Sequence, residues 1–274
     1  MAHSLPTARS ATTITAERMN TIFVDTTAST NTLLASMAET VEAPTMIYTR
    51  CQSAGRGQRG NSWEAEPGAN ITCSVLLRPR SIEAARQFVI SEAIALAVAS
   101  VTQDLLPGHN VTVKWPNDIY VGNRKICGIL IENAINGNNI IRSIAGIGLN
   151  VNQQRFTSSA PNPVSISQLT GKSHPLQPIL AELAKAIEHY ISMAETTPEE
   201  VHAAYRSHLW RGEGTHLWRD TATDREFRAS IIDILPAGPI VMRSTEGETL
   251  TFAFKEVAPV ITLDNNANPI NLPC

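Results

Sequence analysis

The stretch "AGRGQRGNSW" (54–63) sets Gly55, Gly57 and Gly60 on the G-x-G-x-x-G spacing of a dinucleotide-binding turn, and the residues after it decide which folds survive. A dinucleotide fingerprint must open a helix whose N-terminus receives the pyrophosphate, with an acidic residue about twenty positions on for the ribose. Here Pro67, Gly68 and Asn70 forbid a long helix, and "ITCSVLLRP" follows as a strand. The dinucleotide-fingerprint reading of this loop fails on context. What remains is a glycine turn between two β-rich runs that presents Arg56 and Arg59 beside free backbone N–H groups. Such groups suit phosphate and carboxylate oxygens; a solvated surface loop is the competing reading.

Around this turn the two secondary-structure periods alternate. "TIFVD" reads as a strand, "STNTLLASMAE" (29–39) as a helix with a Ser-Thr start, and "TMIYTRC" as a strand. A long helix is expected from Ile82 to Leu106, closed by Pro107 and Gly108. Three apolar strands follow, "VTVKW" (111–115), "KICGILIEN" (125–133) and "NIIRSIAGIGLNVN" (139–152). A Ser, Pro and Asn loop (157–165) leads to helices near 176–195 and 198–210, the second opened by Pro198 and two acids. Residues 21–210 thus read as an α+β unit with helices packed on a sheet. From Gly212 the pattern becomes four or five short strands divided by turn residues, as in a small β-barrel. The expected division is 1–210 and 211–274, with residues 1–20 a poorly ordered extension rich in Ser, Thr and Ala.

A net charge of -3 over 274 residues gives no basic field for nucleic acid, so no DNA partner is expected. The apolar run "FVISEAIALAVAS" (88–100) is interrupted by Ser91 and Glu92 and reads as a buried helix rather than a membrane span. Four scattered cysteines and no signal-like N-terminus suggest reduced thiols in a cytoplasmic protein. The seven histidines show no metal-ligand spacing, and no structural zinc is expected.

The second unusual segment is "VKWPNDIYVGNRKICGIL" (113–130), where Lys114, Asp118 and Lys125 surround a Trp-Pro-Asn turn between apolar strands. Charge is costly there unless compensated. One lysine would snorkel to water; two, beside an arginine-bearing loop, suggest a convergent cationic pocket.

In order along the chain, "STN" (29–31), "GRGQRGNSW" (55–63), "KWPNDIYVGNRKICGILIE" (114–132) and "GIGLNVN" (146–152) resemble the signature set of biotin protein ligases. The resemblance implies a catalytic domain with a mixed or antiparallel sheet, like that of lipoate ligases and class II aminoacyl-tRNA synthetases, followed by an SH3-like barrel. It implies that biotin and ATP form biotinyl-5'-AMP and pyrophosphate, and that the biotinyl group then passes to a lysine of a biotin carboxyl carrier protein. Mg²⁺ would accompany ATP, near Asp118 if the protein holds it at all, with no tightly bound prosthetic group. A sheet edge serves for homodimers in some branches of the family. A lipoate or octanoate ligase, or a biotin-binding module without turnover, are the alternatives.

By the same resemblance Arg56, Lys114, Asp118 and Lys125 are the catalytic set. Ser29, Thr30, Asn31, Gln52, Arg56, Gly57, Gln58, Lys125 and Gly128 would bind biotin. Arg56, Arg59, Trp63, Lys114, Asn117 and Asn150 would bind the nucleotide, and Gly128, Gly146 and Gly148 fall where a side chain would intrude on ligand. Lys255 and Glu256 are candidate contacts from the C-terminal strands. Two departures stand out: Gln58 occupies a position where many members carry arginine, and only 28 residues precede Ser29, too few for the DNA-binding domain of bifunctional members. Without an anion, the glycine loop is expected to have little to hold it.

Overall fold

The computed structural model describes residues 19–57, 60–157 and 162–260. Seven strands form one mixed sheet: β1 (Asn20–Thr27), β2 (Thr45–Gln52), β3 (Ile71–Leu77), β4 (Val111–Lys114), β5 (Asp118–Val121), β6 (Arg124–Asn136) and β7 (Asn139–Leu149). Their order is β1-β2-β3-β7-β6-β5-β4; β1 and β2 are parallel and every other pair is antiparallel.

Both faces of the sheet carry helices. On one face lies α2 (Phe88–Leu105), with α4 (Leu176–Thr196) and α5 (Pro198–Ser207) packed on it. By length and composition α2 could cross a bilayer, but 72% of it is buried inside the molecule, so it is the core helix. Fully buried residues such as Ile90, Ile94 and Leu96 each contribute about 1.5–3 kcal/mol of burial. The opposite face carries α1 (Thr30–Met37), which packs Leu34 against Ile47, Leu76 and Ile144. Because side chains alternate along a strand, Thr72 and Ser74 share the α1 face with Leu76, while Cys73 and Val75 join the α2 core.

After β7, a short α3 (Ile166–Thr170) is held by a Ser165–Gln168 capping box and closed by left-handed Gly171. The chain then runs through α4 and α5 along the edge of the sheet, where Leu209 bridges Val113. A second, wholly antiparallel sheet follows, made of β8 (His216–Asp220), β9 (Glu226–Ile234), β10 (Ile240–Ser244), β11 (Thr249–Phe252) and β12 (Val257–Pro259), in the order β11-β10-β9-β8-β12. It is compatible with the expected SH3-like unit. Phe254 packs it against the start of α2 and the β4–β5 turn, with ring centroids 5.9 Å from Phe88 and 5.4 Å from Trp115, whose indole N–H donates to Gly238 O at 3.0 Å.

Three local expectations need correction. The long helix starts at Phe88 rather than Ile82, because tertiary partners claim the preceding backbone: Glu83 bridges Asn139 and Ala84 N donates to Asn138 O, leaving only a 3₁₀ turn over Ala84–Arg86. Strand β5 is absent from the sequence reading; its four residues begin with Asp118, a poor strand former, and pairing on both sides creates it. Residues 166–170, between the expected loop and the expected helix, form α3. Cys51, Cys73 and Cys127 are free thiols. Cys274 and most of the N-terminal extension lie outside the described residues.

Candidate active site

On the α1 face a cavity of about 670 Å³ opens between the glycine loop, the β4–β5 turn and the last strands of the second sheet, a size that suits a small ligand. Ser29, Thr30, Asn31, Gln52, Arg56, Gly57, Trp63, Lys114, Asn117, Asp118, Lys125, Gly128, Gly146 and Gly148 all line it. Five segments far apart in sequence are thus brought to one place.

Polar side chains at the start of α1 form one end. Ser29 caps the helix, accepting from Thr32 N, and is itself buried. Gln52 Oε1 accepts from Thr30 N at 2.9 Å and Thr30 Oγ1 at 3.3 Å, which turns the Gln52 side chain toward the helix start. Ser74 donates to Thr30 Oγ1 (2.7 Å) or Asn31 Oδ1 (2.5 Å), and Asn31 Nδ2 donates to Glu132 Oε2 (2.7 Å) and Leu130 O (3.4 Å). Helix cap and pocket wall are the same residues. Asn31 is spent largely on protein partners, so it fixes the wall more than it offers free donors.

The floor is made of glycines. A Cβ on Gly146 would lie 2.2 Å from Asn31 Oδ1, one on Gly148 2.3 Å from the Trp63 indole, and one on Gly128 2.7 Å from the same ring. Trp63 lies across two of the three, half-buried, with its indole Nε1 buried and without a partner among the described residues. The loop that carries it is a small hairpin: Arg56 bridges Ser62, and Gly55 O accepts from Trp63 N at 3.0 Å. A side chain on Gly55 would meet Trp63 O at 2.4 Å, so only glycine lets the two arms approach so closely.

The charged end is built by the β4–β5 turn. Lys125 Nζ and Asp118 Oδ1 are 2.7 Å apart and both side chains are mostly buried, while Lys125 also sits 5.6 Å from the Trp63 ring centroid. Burial pushes the Lys114 ammonium below its ordinary pKa, opposed by Asp118 and reinforced by Lys125. Asn117 is buried and donates to Ile129 O at 3.0 Å, which closes the turn. Tyr205, fully buried on α5, braces it by donating to Pro116 O at 2.7 Å. Cys73 also lines the cavity, but burial raises its thiol to about 12, so it is no nucleophile at neutral pH.

Not every expected residue converges. Asn150 does not line the cavity; it is buried, donates to Val164 O at 3.1 Å, and its Oδ1 has no partner among the described residues. Gln58 and Arg59 lie outside the described residues. Lys255 lines the cavity, with Thr221, Val257, Ala258 and Pro259, whereas the Glu256 carboxylate accepts from Ala253 N at 2.7 Å within its own turn. Sequence reasoning missed Ser74, Tyr120 and Glu132. Ser74 was detectable: Thr72 and Ser74 are the two polar residues in the otherwise apolar run "ITCSVLL", two apart and therefore on one face.

A family model described as biotin/lipoate A/B protein ligase family matches residues 23–150. A biotin--[acetyl-CoA-carboxylase] ligase of Paracoccus denitrificans is 30% identical over 175 residues, covering 62% of this chain and 72% of that protein. A bifunctional ligase/repressor of Bacillus spizizenii is 27% identical over 213 residues; the match spans 74% of this chain but 62% of that longer relative. Among solved structures, the biotin protein ligase of Aquifex aeolicus in complex with biotin and ATP superposes with a TM-score of 0.71 at 20% identity, covering 87% of this chain and 97% of that one. Motif order, sheet topology and the convergence of these side chains agree with those likenesses: the chain belongs to the biotin/lipoate A/B protein ligase family and is similar to its biotin protein ligases.

Proposed function

We propose that the chain is a cytoplasmic ATP-dependent biotin protein ligase. The observation that carries this reading is the sequence of surfaces inside one cavity: a hydrogen-bonding end at Ser29, Thr30 and Gln52, a glycine floor, and a cationic end at Lys114 and Lys125. Biotin's ureido ring needs polar partners, because burying its N–H and C=O groups unpaired costs about 1–3 kcal/mol each. Its carboxylate, at the far end of an apolar chain, then reaches the lysines.

The reaction proceeds in two steps. A carboxylate oxygen of biotin attacks the α-phosphorus of ATP, forming the acyl-phosphate bond of biotinyl-5'-AMP as the bond to pyrophosphate breaks. Two anions meet, so fixed positive charge at the meeting point lowers the barrier. Lys125, oriented by Asp118 at 2.7 Å, and the partly desolvated Lys114 supply it; Arg56 extends it at the loop. The carrier lysine then attacks the acyl carbon, forming the amide and releasing AMP, and Asp118 takes its proton.

Mg²⁺ enters on the triphosphate as part of the co-substrate. Asp118 is the one carboxylate lining the cavity among the described residues and is engaged by Lys125, which favours a lysine-orienting role over metal ligation. Residues 1–210 serve as the catalytic unit and the region from 211 onward as the SH3-like unit, whose Lys255 and Pro259 line the cavity. Of the two sheet edges, β4 is partly covered by Leu209, which leaves β1 for the carrier or a second copy of the chain. The test is pyrophosphate release from MgATP with biotin, lipoate, octanoate or no acid. Release only with biotin, lost in Lys125→Ala, supports the reading; release with lipoate or octanoate instead overturns it.

A further inference from the structure

Glu132, at the rim on β6, is the one residue among those described that is joined to both the start of α1 and the glycine loop. Arg56 donates from Nη2 to its two carboxylate oxygens at 3.1 and 2.8 Å, and Asn31 Nδ2 donates to Oε2 at 2.7 Å. Isolated ion pairs this exposed, 41% and 46%, contribute little. This pair is not isolated, because Asn31 is pinned in turn by Ser74 and Leu130 O and a shared network holds geometry better than its separate bonds. Arg56 uses one prong of its fork; among the described residues its Nη1 and Nε have no partner, so three N–H donors stay available to an incoming anion.

We propose that Glu132 is a positioning residue: its carboxylate holds Arg56, and through it the glycine loop, at the mouth of the cavity before any substrate anion arrives. The bonds from Gly57 N to Asn61 O and from Trp63 N to Gly55 O close the loop's hairpin on itself, and the Arg56–Glu132 pair ties its first arm to β6. Glu132 engages one side of the guanidinium, and the Nη1 and Nε donors on the other side are those an anion would meet. The consequence for biotin rests on the ligase reading; the ordering of the empty loop does not.

Two measurements separate these. In limited trypsin digestion of the ligand-free full chain, cleavage after Arg56 is read by mass spectrometry in the wild type, Glu132→Gln and Glu132→Asp, each checked for an unchanged melting temperature. Loss of an ordering ion pair raises local opening, and both variants are expected to be cut about tenfold faster. Equal rates in all three proteins overturn the proposal. Biotin affinity by calorimetry then completes a double-mutant cycle with Arg56→Lys. Glu132→Gln weakens binding about tenfold when Arg56 is present and less than about twofold in the Arg56→Lys background, since a residue acting through another loses its effect with it. Equal weakening in both backgrounds shows that Glu132 does not act through Arg56. A wild type that binds no biotin sinks the ligase reading, and the cleavage rates alone then decide the role of Glu132.

Discussion

Gly146→Ala and Gly148→Ala add the same methyl group two residues apart on one strand, yet the structure gives them different costs. Both new Cβ atoms would overlap a neighbour badly, at 2.2 Å from Asn31 Oδ1 and 2.3 Å from the Trp63 indole. Relief at Gly146 requires Asn31 to move by more than 1 Å to reach an ordinary contact of about 3.4 Å. Asn31 is 4% exposed and bonded to Ser74, Leu130 O and Glu132. Ser74 retains Thr30 as an acceptor, but Asn31 Oδ1 and one Nδ2 hydrogen are orphaned, at about 1–3 kcal/mol each. The expected loss is about 2–4 kcal/mol, which for a chain of this size lowers the melting temperature by roughly 5–15 °C. Relief at Gly148 requires only that the loop-borne Trp63 swing away. The ring gives up part of its burial, but its unpartnered Nε1 regains water. These terms of about 1–3 kcal/mol oppose each other, and the net cost stays under about 1 kcal/mol. Thermal and urea unfolding of both variants measures the contrast, and both should lose biotin-dependent pyrophosphate release. Equal destabilisation by the two substitutions would refute the reasoning, because it would mean that the indole is as firmly fixed as the asparagine.

Three further outcomes follow from single contacts. Burial lowers the pKa of His202, but its bonds to Glu92 (2.7 Å) and Asp233 outweigh burial and raise it above 6.5, while burial raises that of Glu92 above 4.5. Protons held more tightly by the folded state stabilise it at low pH, so stability should fall as pH rises from 6.5 through the folded value of His202; Glu92→Gln should flatten that slope in melts at pH 6 and 8. Tyr205→Phe leaves Pro116 O unpaired behind the lysine-bearing turn and should cost about 1–2 kcal/mol in urea unfolding; no change would show that water replaces the hydroxyl. Gln58→Arg introduces the charge common in the family and should slow adenylate escape by roughly 10- to 150-fold, from the 1.5–3 kcal/mol of a charged hydrogen bond; an unchanged dissociation rate would exclude a role for the neutral amide.

The parts legible in the sequence were those fixed by local chemistry. Pro67 and Gly68 exclude a helix after the glycine loop whatever surrounds it, and Ser29 caps α1 through its own Thr32 N–H. The start of α2 and the existence of β5 were not legible, because in both places partners distant in sequence decide where backbone hydrogen bonds go. The same division runs through the site. Lys114, Asp118 and Lys125 announce themselves as charges among apolar residues, whereas Glu132 looks like any strand glutamate until the fold brings Arg56 and Asn31 to it. Asn150 shows the reverse, a motif residue whose observed bond secures the backbone at Val164 rather than the cavity.

The glycine floor depends on something no motif contains, the register of the β6–β7 hairpin. Gly128 stands opposite Gly148 and Leu130 opposite Gly146, while on the other side of β7 Ser74 faces Gly146 and Thr72 faces Gly148. Small and polar residues from three strands therefore fall on one face and in adjacent rows, and the depression that results is what Trp63 and Asn31 enter. A slip of one residue in that pairing would turn one strand over relative to the other, so that if β7 moved, Gly146 and Gly148 would face the α2 core and the Ile147 side chain would face the site. The turn at Gly137, with φ of 60°, and the irregularity between Ala134 and Ile135 set that register, about ten residues from the floor they align. The cavity's shape is thus determined at the far end of the hairpin, where the chain carries no chemistry of its own.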